Sequence, residues 1–176
     1  TTIKATTTQN FVIQDVPTSK AQELALELKS IGVDANPSAF KARTLACTGL
    51  NFCKFAISET KGLAKTITEH LEAKFPNFDE PISISVNGCP NSCAHPHIVD
   101  IGLLGCKVKE DEQTLNGFEL IFGGNLQASQ SQFGLKSGIK FASANAPKVL
   151  EELIENYIKS DFTTFSEFIV KQVNDK

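Results

Sequence analysis

The hydrophobic pattern changes period several times along the chain, and each change marks an element. Residues 1 to 14 are rich in β-branched types, with Phe11, Val12 and Ile13 closing the run, and predict extended structure. Ala21, Leu24, Ala25, Leu28 and Ile31 then recur at helical spacing until Gly32, and Ser19 with Gln22 three positions on reads as a capping box for that helix. Asn36-Pro37-Ser38 reads as a joint. From Ala46 the chain starts as a loop around Thr48-Gly49 and becomes helical, with Leu63, Ile67, Leu71 and Phe75 four apart on one face, before Pro76 ends it.

The period then drops to two. Ile82, Ile84 and Val86 alternate with serines, predicting a half-buried strand that runs into the turn residues Asn87-Gly88-Cys89-Pro90. Val99, Ile101 and Leu103 alternate again, as do Phe118, Leu120 and Phe122 before Gly123-Gly124, giving at least three strands with antiparallel or mixed pairing. The tract Gln127 to Gln132 is polar enough for a loop. Pro147 opens a helix carrying Val149, Leu150, Leu153, Ile154, Tyr157 and Ile158, and Thr164 with Glu167 caps a last one with Phe165, Phe168 and Ile169 inside. The class is α+β, without internal repeats or low-complexity tracts.

Composition narrows the function. The chain has 176 residues, 41% of them hydrophobic, and a net charge of -3. A chain of this length buries roughly 70% of its unfolded surface, so its five cysteines are not needed merely to hold a fold. No apolar run approaches the roughly 20 residues that cross a bilayer, and the polar start Thr1-Thr2-Ile3-Lys4 lacks the features of a signal peptide, so neither a membrane nor export is expected. Acidic and basic residues nearly balance in both halves with no basic block, which argues against nucleic acid as a partner. The lack of Met marks either a removed initiator or a piece of something longer. An odd cysteine count without an export signal points to a reducing compartment, where thiols serve metals or chemistry.

Four cysteines form two close pairs, Cys47 with Cys53 and Cys89 with Cys93, each in a glycine-bearing turn. Four soft thiolates on short turns, with backbone N–H groups available to the sulfurs, suit an iron–sulfur cluster. Two other readings compete. Buried free thiols are common in cores. Zinc is the sharper rival, because Cys89, Cys93, His95 and His97 lie within nine residues and offer two sulfurs and two nitrogens. That arrangement leaves Cys47 and Cys53 unemployed, and Pro90 and Pro96 stiffen the segment that would have to wrap the ion. Cys106 has no partner nearby and reads as a bystander, and His70, between apolar helix positions, as structural. His95 and His97 are either tuning groups beside the ligand turn or solvent-facing loop residues. Gly123-Gly124 reads equally as a plain turn or as a place where backbone approaches a cofactor.

The residues within these spacings carry more. Cys47-Thr48-Gly49-Leu50-Asn51-Phe52-Cys53, Glu59-Thr60-Lys61, Asn87-Gly88-Cys89-Pro90-Asn91-Ser92-Cys93 and Asp100-Ile101-Gly102-Leu103-Leu104-Gly105 closely resemble the sirohaem-containing sulfite and nitrite reductases. The resemblance extends to Thr6-x-x-Gln9-Asn10, Gly123-Gly124-Asn125 and Asp161-Phe162-Thr163, and covers this chain as the carboxy-terminal half of that family's polypeptide. It implies a small ferredoxin-like half-domain at 1–36, then a mixed-sheet domain at 37–176 that binds sirohaem and a 4Fe-4S cluster, with helices packed on the sheet. It implies cluster ligation by Cys47, Cys53, Cys89 and Cys93, with Cys93 shared with the sirohaem iron, and sirohaem contacts from Asn91 and Gln9.

The implied reaction is the six-electron reduction of sulfite to sulfide or nitrite to ammonia, with electrons from ferredoxin or a flavoprotein, in the cytoplasm, or in the plastid stroma of a plant or alga. The family's anion-binding arginines and lysines lie mostly in the amino-terminal half, so the resemblance names no catalytic residue within this chain and makes turnover depend on that half as a partner. Where relatives carry Arg in Arg-x-Thr-x-x-Gln-Asn, this sequence has Lys4, which keeps the charge and loses the bidentate fork.

Overall fold

The computed structural model describes residues 1–126 and 131–174. The β-branched amino terminus forms an antiparallel ribbon of β1 (Thr2–Ala5) and β2 (Phe11–Gln14), in register from Thr2 opposite Gln14 to Ala5 opposite Phe11. Helix α1 (Thr18–Ser30) follows and buries no residue fully. The capping box expected from Ser19 and Gln22 does not form. Pro17 takes the cap position instead, its fixed φ of -57 suiting the helix entry, which leaves Ser19 already inside the first turn. The stop is as expected: Gly32 adopts φ +82, and the N–H groups of Gly32 and Val33 return to the carbonyls of Lys29 and Leu28.

Two elements follow that the pattern does not predict. Helix α2 (Ala39–Arg43) is capped by Ser38, whose hydroxyl accepts from the Lys41 N–H at 3.0 Å and donates to Glu72 at 2.5 Å. Strand β3 (Thr44–Ala46) lies parallel to β4 (Ile84–Asn87), with Ala46 opposite Val86, and the Cys47 N–H continues the ladder to the Val86 carbonyl at 3.0 Å. Both elements are too short to show a period. Phe40 carries α2 into the core, stacked on Phe78 at 5.0 Å between ring centroids.

The main sheet has the order β3-β4-β5-β6-β7, with β5 (Ile101–Glu110), β6 (Gln113–Phe122) and β7 (Leu135–Ala142) added to it. β3, β4 and β5 run parallel, whereas β5-β6 and β6-β7 are antiparallel, so the sheet is mixed. Helices α3 (Lys61–Lys74), α4 (Ala146–Ile158) and α5 (Phe165–Asn174) bring Ile67, Leu71, Leu150, Ile154, Phe165 and Ile169 into one core with Ile84, Val86, Ile101, Leu103, Phe118 and Leu120 of the strands. Burying a side chain such as Leu150 or Ile154 contributes about 1.5–3 kcal/mol. The fold is α+β. Among the described residues no helix is long and apolar enough to cross a membrane.

The opposite face decides where the site sits. Strand β4 is buried at all four positions rather than on one face only, because the segment after it folds back over Ser85 and Asn87. Of the polar tract at 127–132, residues 127–130 lie outside the described residues, and Gln132 pairs with Asn125 through both backbone bonds.

Candidate functional site

Both cysteine pairs occupy loops at the ends of parallel strands, Cys47 directly after β3 and Cys89 just beyond β4. The first loop is closed by the Cys53 and Phe52 N–H groups bonding the Gly49 carbonyl, and by the Thr60 hydroxyl donating to the Cys47 carbonyl at 2.8 Å. Gly49 has φ +73, and a Cβ there would collide with that Thr60 hydroxyl, so the turn needs glycine on two counts. Glu59 accepts from the Gly62 and Leu63 N–H groups at 2.8 and 2.7 Å, tying the loop to the start of α3.

The two loops meet at Gly88. Its N–H donates to the Cys47 Sγ at 3.2 Å, and its carbonyl accepts from Ile57 and Ser58 at 2.7 and 3.1 Å. The same carbonyl faces Gly105 of β5 so closely that a Cβ on Gly105 would overlap it. Cys89 is buried, Cys47 and Cys53 are half-buried and Cys93 is exposed, and none of them is in a disulfide. Ser92 and His95 take left-handed backbone conformations that bend the chain around Cys93.

The other expected site residues fall as follows. Asn91 is exposed in the turn beside Cys93. Gln9, at φ +58 on the tip of the ribbon, donates from Nε2 to the Ala46 carbonyl at 3.0 Å, while Asn10 donates to the Ala42 carbonyl at 2.9 Å. The ribbon tip is thereby fastened one residue ahead of Cys47. His95 is exposed and His97 half-buried. The Gly123-Gly124 backbone approaches the 97–99 segment, with the Gly124 Cβ direction filled by the His97 carbonyl at 2.6 Å. His70 joins α3 to α4 through Glu151 at 2.5 Å, a structural role as expected. Cys106 stands on β5 opposite Gly117, its thiol raised above the ordinary value by burial.

Three features escape the sequence pattern. Asn87, at the end of β4, is 1% exposed and holds the Ala94 N–H at 2.7 Å, although in sequence it reads as a turn residue. Asp100, whose carboxyl is raised by burial despite two bonds from Ser83, fixes the return of the chain into β5. Leu50, Phe52 and Phe55 form an apolar rim beside Cys53, with Phe52 80% exposed.

Four cysteine sulfurs on two interlocked loops are the soft donor set that an iron–sulfur cluster takes. Among the described residues no group of three or more His, Cys, Asp or Glu side chains is placed to hold one metal ion, so nothing in the positions of Cys89, Cys93, His95 and His97 favours zinc. A zinc ion needs its sulfurs at about 2.3 Å from one point, whereas a cluster offers a separate iron to each thiolate. The Gly88 N–H at Cys47 supplies the donor that an anionic sulfur favours.

Known proteins resemble this chain in sequence and fold. Residues 39–164 match the family described as Nitrite and sulphite reductase 4Fe-4S domain. The chain is 34% identical over 171 residues to a sulfite reductase (ferredoxin) 1 of Mycolicibacterium paratuberculosis, covering 93% of this chain and 31% of that protein. It is 33% identical over 152 residues to a ferredoxin–nitrite reductase of Synechococcus elongatus, covering 86% and 29%. Its fold superposes on the structure of the Mycobacterium tuberculosis NirA protein with a TM-score of 0.88 at 29% identity, covering 96% of this chain and 32% of that one. The chain thus spans about a third of the length of the relatives it matches. With the family's match running from α2 through both cysteine loops to the start of α5, this chain belongs to the nitrite and sulphite reductase 4Fe-4S domain family.

Proposed function

We propose that this chain is the carboxy-terminal, cofactor-binding part of a sulfite or nitrite reductase, with ferredoxin or a flavoprotein as electron donor. In this reading residues 1–36 are a ferredoxin-like half-domain and 37–176 the cluster and sirohaem domain, acting in the cytoplasm or a plastid stroma. Cys47, Cys53, Cys89 and Cys93 hold the 4Fe-4S cluster, and Cys93 also binds the sirohaem iron. When bound, the cluster supplies single electrons and the sirohaem iron a seat for the anion, which a six-electron reduction of sulfite to sulfide or nitrite to ammonia requires.

The observation that carries the reading is the interlock of the two cysteine loops through one residue, Gly88, with Cys93 the most open of the four. An exposed ligand is what a thiolate shared between two iron centres needs. Asn91 beside it is exposed and available to a macrocycle, and Gln9 is fastened beside Cys47 at Ala46. The apolar rim of Leu50, Phe52 and Phe55 is surface that a macrocycle or the rest of the polypeptide would cover.

Iron, acid-labile sulfide and zinc per chain, measured on protein prepared without oxygen, test the reading. Near four iron and four sulfide is the expected result, and a Cys47→Ser variant should lose them. One zinc without sulfide, unaffected by Cys47→Ser, would overturn it.

A further inference from the structure

Asn87 and Ser85 leave β4 on the face opposite the helices, and both reach Ala94, the residue after Cys93. The bonds run in one direction. The Asn87 Nδ2 donates to the Ser85 Oγ at 2.9 Å, the Ser85 hydroxyl donates to the Ala94 carbonyl, and the Ala94 N–H donates back to the Asn87 Oδ1 at 2.7 Å. Three groups thus close a ring in which each donates once and accepts once. Asn87 is 1%, Ser85 0% and Ala94 2% exposed, so the ring is shielded from bulk solvent and a broken bond would leave a buried polar group unpaired.

The turn this ring holds has little support of its own. Between Cys89 and His95 the internal bonds are the Ser92 hydroxyl to the Pro90 carbonyl at 3.1 Å and the His95 N–H to the Ser92 carbonyl at 3.0 Å, and Pro90 has no N–H to give. Ser92 sits at φ +58 and His95 at φ +57, conformations that an unsupported Ser or His leaves readily. Ala94 is therefore the fixed end from which the exposed Cys93 is aimed. We propose that Asn87, through this ring, is the positioning residue for the Cys93 thiolate. This rests on the reading of Cys93 as a ligand.

Only a carboxamide does this from position 87. A carboxylate would accept from Ala94 and could not donate to Ser85, whose own proton is committed to the Ala94 carbonyl. A methyl group would orphan the Ala94 N–H. Outer groups that orient metal ligands are worth roughly 10–100-fold in affinity when removed.

The test loads wild type, Asn87→Ala, Ser85→Ala and a remote control, Tyr157→Phe, anaerobically with iron and sulfide. Three properties are read: iron and sulfide per chain, the electron paramagnetic resonance spectrum of the reduced cluster, and the rate at which a chelator removes iron. Asn87→Ala and Ser85→Ala should keep the far-ultraviolet dichroism of the fold, show an altered resonance spectrum, and lose iron roughly 10-fold faster. Tyr157→Phe, which loses a buried bond elsewhere, should match wild type in spectrum and iron loss. A wild-type spectrum and rate in Asn87→Ala would overturn the positioning role and leave the cluster reading standing. Failure of the wild-type chain to take up iron and sulfide would overturn the cluster reading, and this inference with it. If Asn87→Ala does not fold, Ser85→Ala opens the same ring and decides the question alone.

Discussion

The N–H of Gly88 points at the Sγ of Cys47 from 3.2 Å, while the carbonyl of the same residue accepts from Ile57 and Ser58. One residue between β4 and Cys89 therefore orients a thiol 41 positions earlier and ties down the loop that carries Cys53. The arrangement works only if the two loops come close, and they do: a Cβ on Gly88 would lie 2.8 Å from the Ser58 carbonyl oxygen and 3.2 Å from the Ala56 methyl.

Gly88→Ala should force those loops apart. Overpacking of this kind costs about 1–3 kcal/mol, and for a chain of this size each kcal/mol lowers the melting temperature by about 2–4 °C. Thermal unfolding of the cluster-free variant beside wild type measures it. An unchanged midpoint would mean that the loops have room to separate without loss, contrary to the interlock described above.

The helices with a sustained period are the legible part of this chain, whereas β7 is long too but mostly exposed and interrupted by Gly138, so no alternation marks it. α3 shows Leu63, Ile67 and Leu71 four apart, and α4 shows Leu150, Ile154 and Tyr157, because each buries one continuous stripe against the sheet. α2 and β3 were not legible, since five and three residues carry no period and owe their shape to Phe40 in the core and to the pairing of β3 with β4. The site divides the same way. The cysteine pairs stand out in one dimension, as does their glycine chemistry. The Gln9 bond to Ala46 spans 37 residues, and the Asn87 ring needs a chain reversal that no local pattern reveals. Ser85 alternates with apolar neighbours as a solvent-facing residue would, and is buried because the Cys89–Val99 segment lies over it.

Glu151 on α4 sits between His70 and Lys74 of α3, at 2.5 and 2.9 Å, and these two are four apart on one helix face. The hydrogen bond from Lys74, then that from His70, hold the Glu151 carboxyl below its ordinary value of 4.5. A carboxyl depressed in the folded state adds stability that is complete above its unfolded pKa and is lost as pH falls through the folded one. Glu151→Gln should therefore melt below wild type at pH 7, and the gap should close as pH drops from about 4.5 downward. Melting curves from pH 7 to pH 3 check this, and a gap constant over that range would refute it.

Glu80 holds the start of α5 from a distant part of the chain. One carboxylate oxygen accepts from the Phe165 N–H at 2.6 Å and the other from the Tyr157 hydroxyl, while the Thr164 hydroxyl accepts from the Glu167 N–H at 3.3 Å. The first N–H groups of a helix have no partner within it and carry partial positive charge, so an anion placed there is favoured twice over. Glu80→Ala leaves the Phe165 N–H without its acceptor and the Tyr157 hydroxyl with the Thr163 carbonyl at 3.3 Å alone, and should cost about 1–3 kcal/mol, against roughly 1 kcal/mol for Tyr157→Phe. The two losses share a bond, so the double variant should fall short of their sum. Burial, then Glu80, raise the Tyr157 hydroxyl well above its usual 10.0. A group raised in the folded state contributes stability that is complete below its unfolded pKa and lost above it, so wild type should weaken more steeply than Tyr157→Phe beyond pH 10. Urea unfolding at pH 7 and pH 10.5 measures both effects, and parallel losses in the two proteins would show that Tyr157 ionises as freely folded as unfolded.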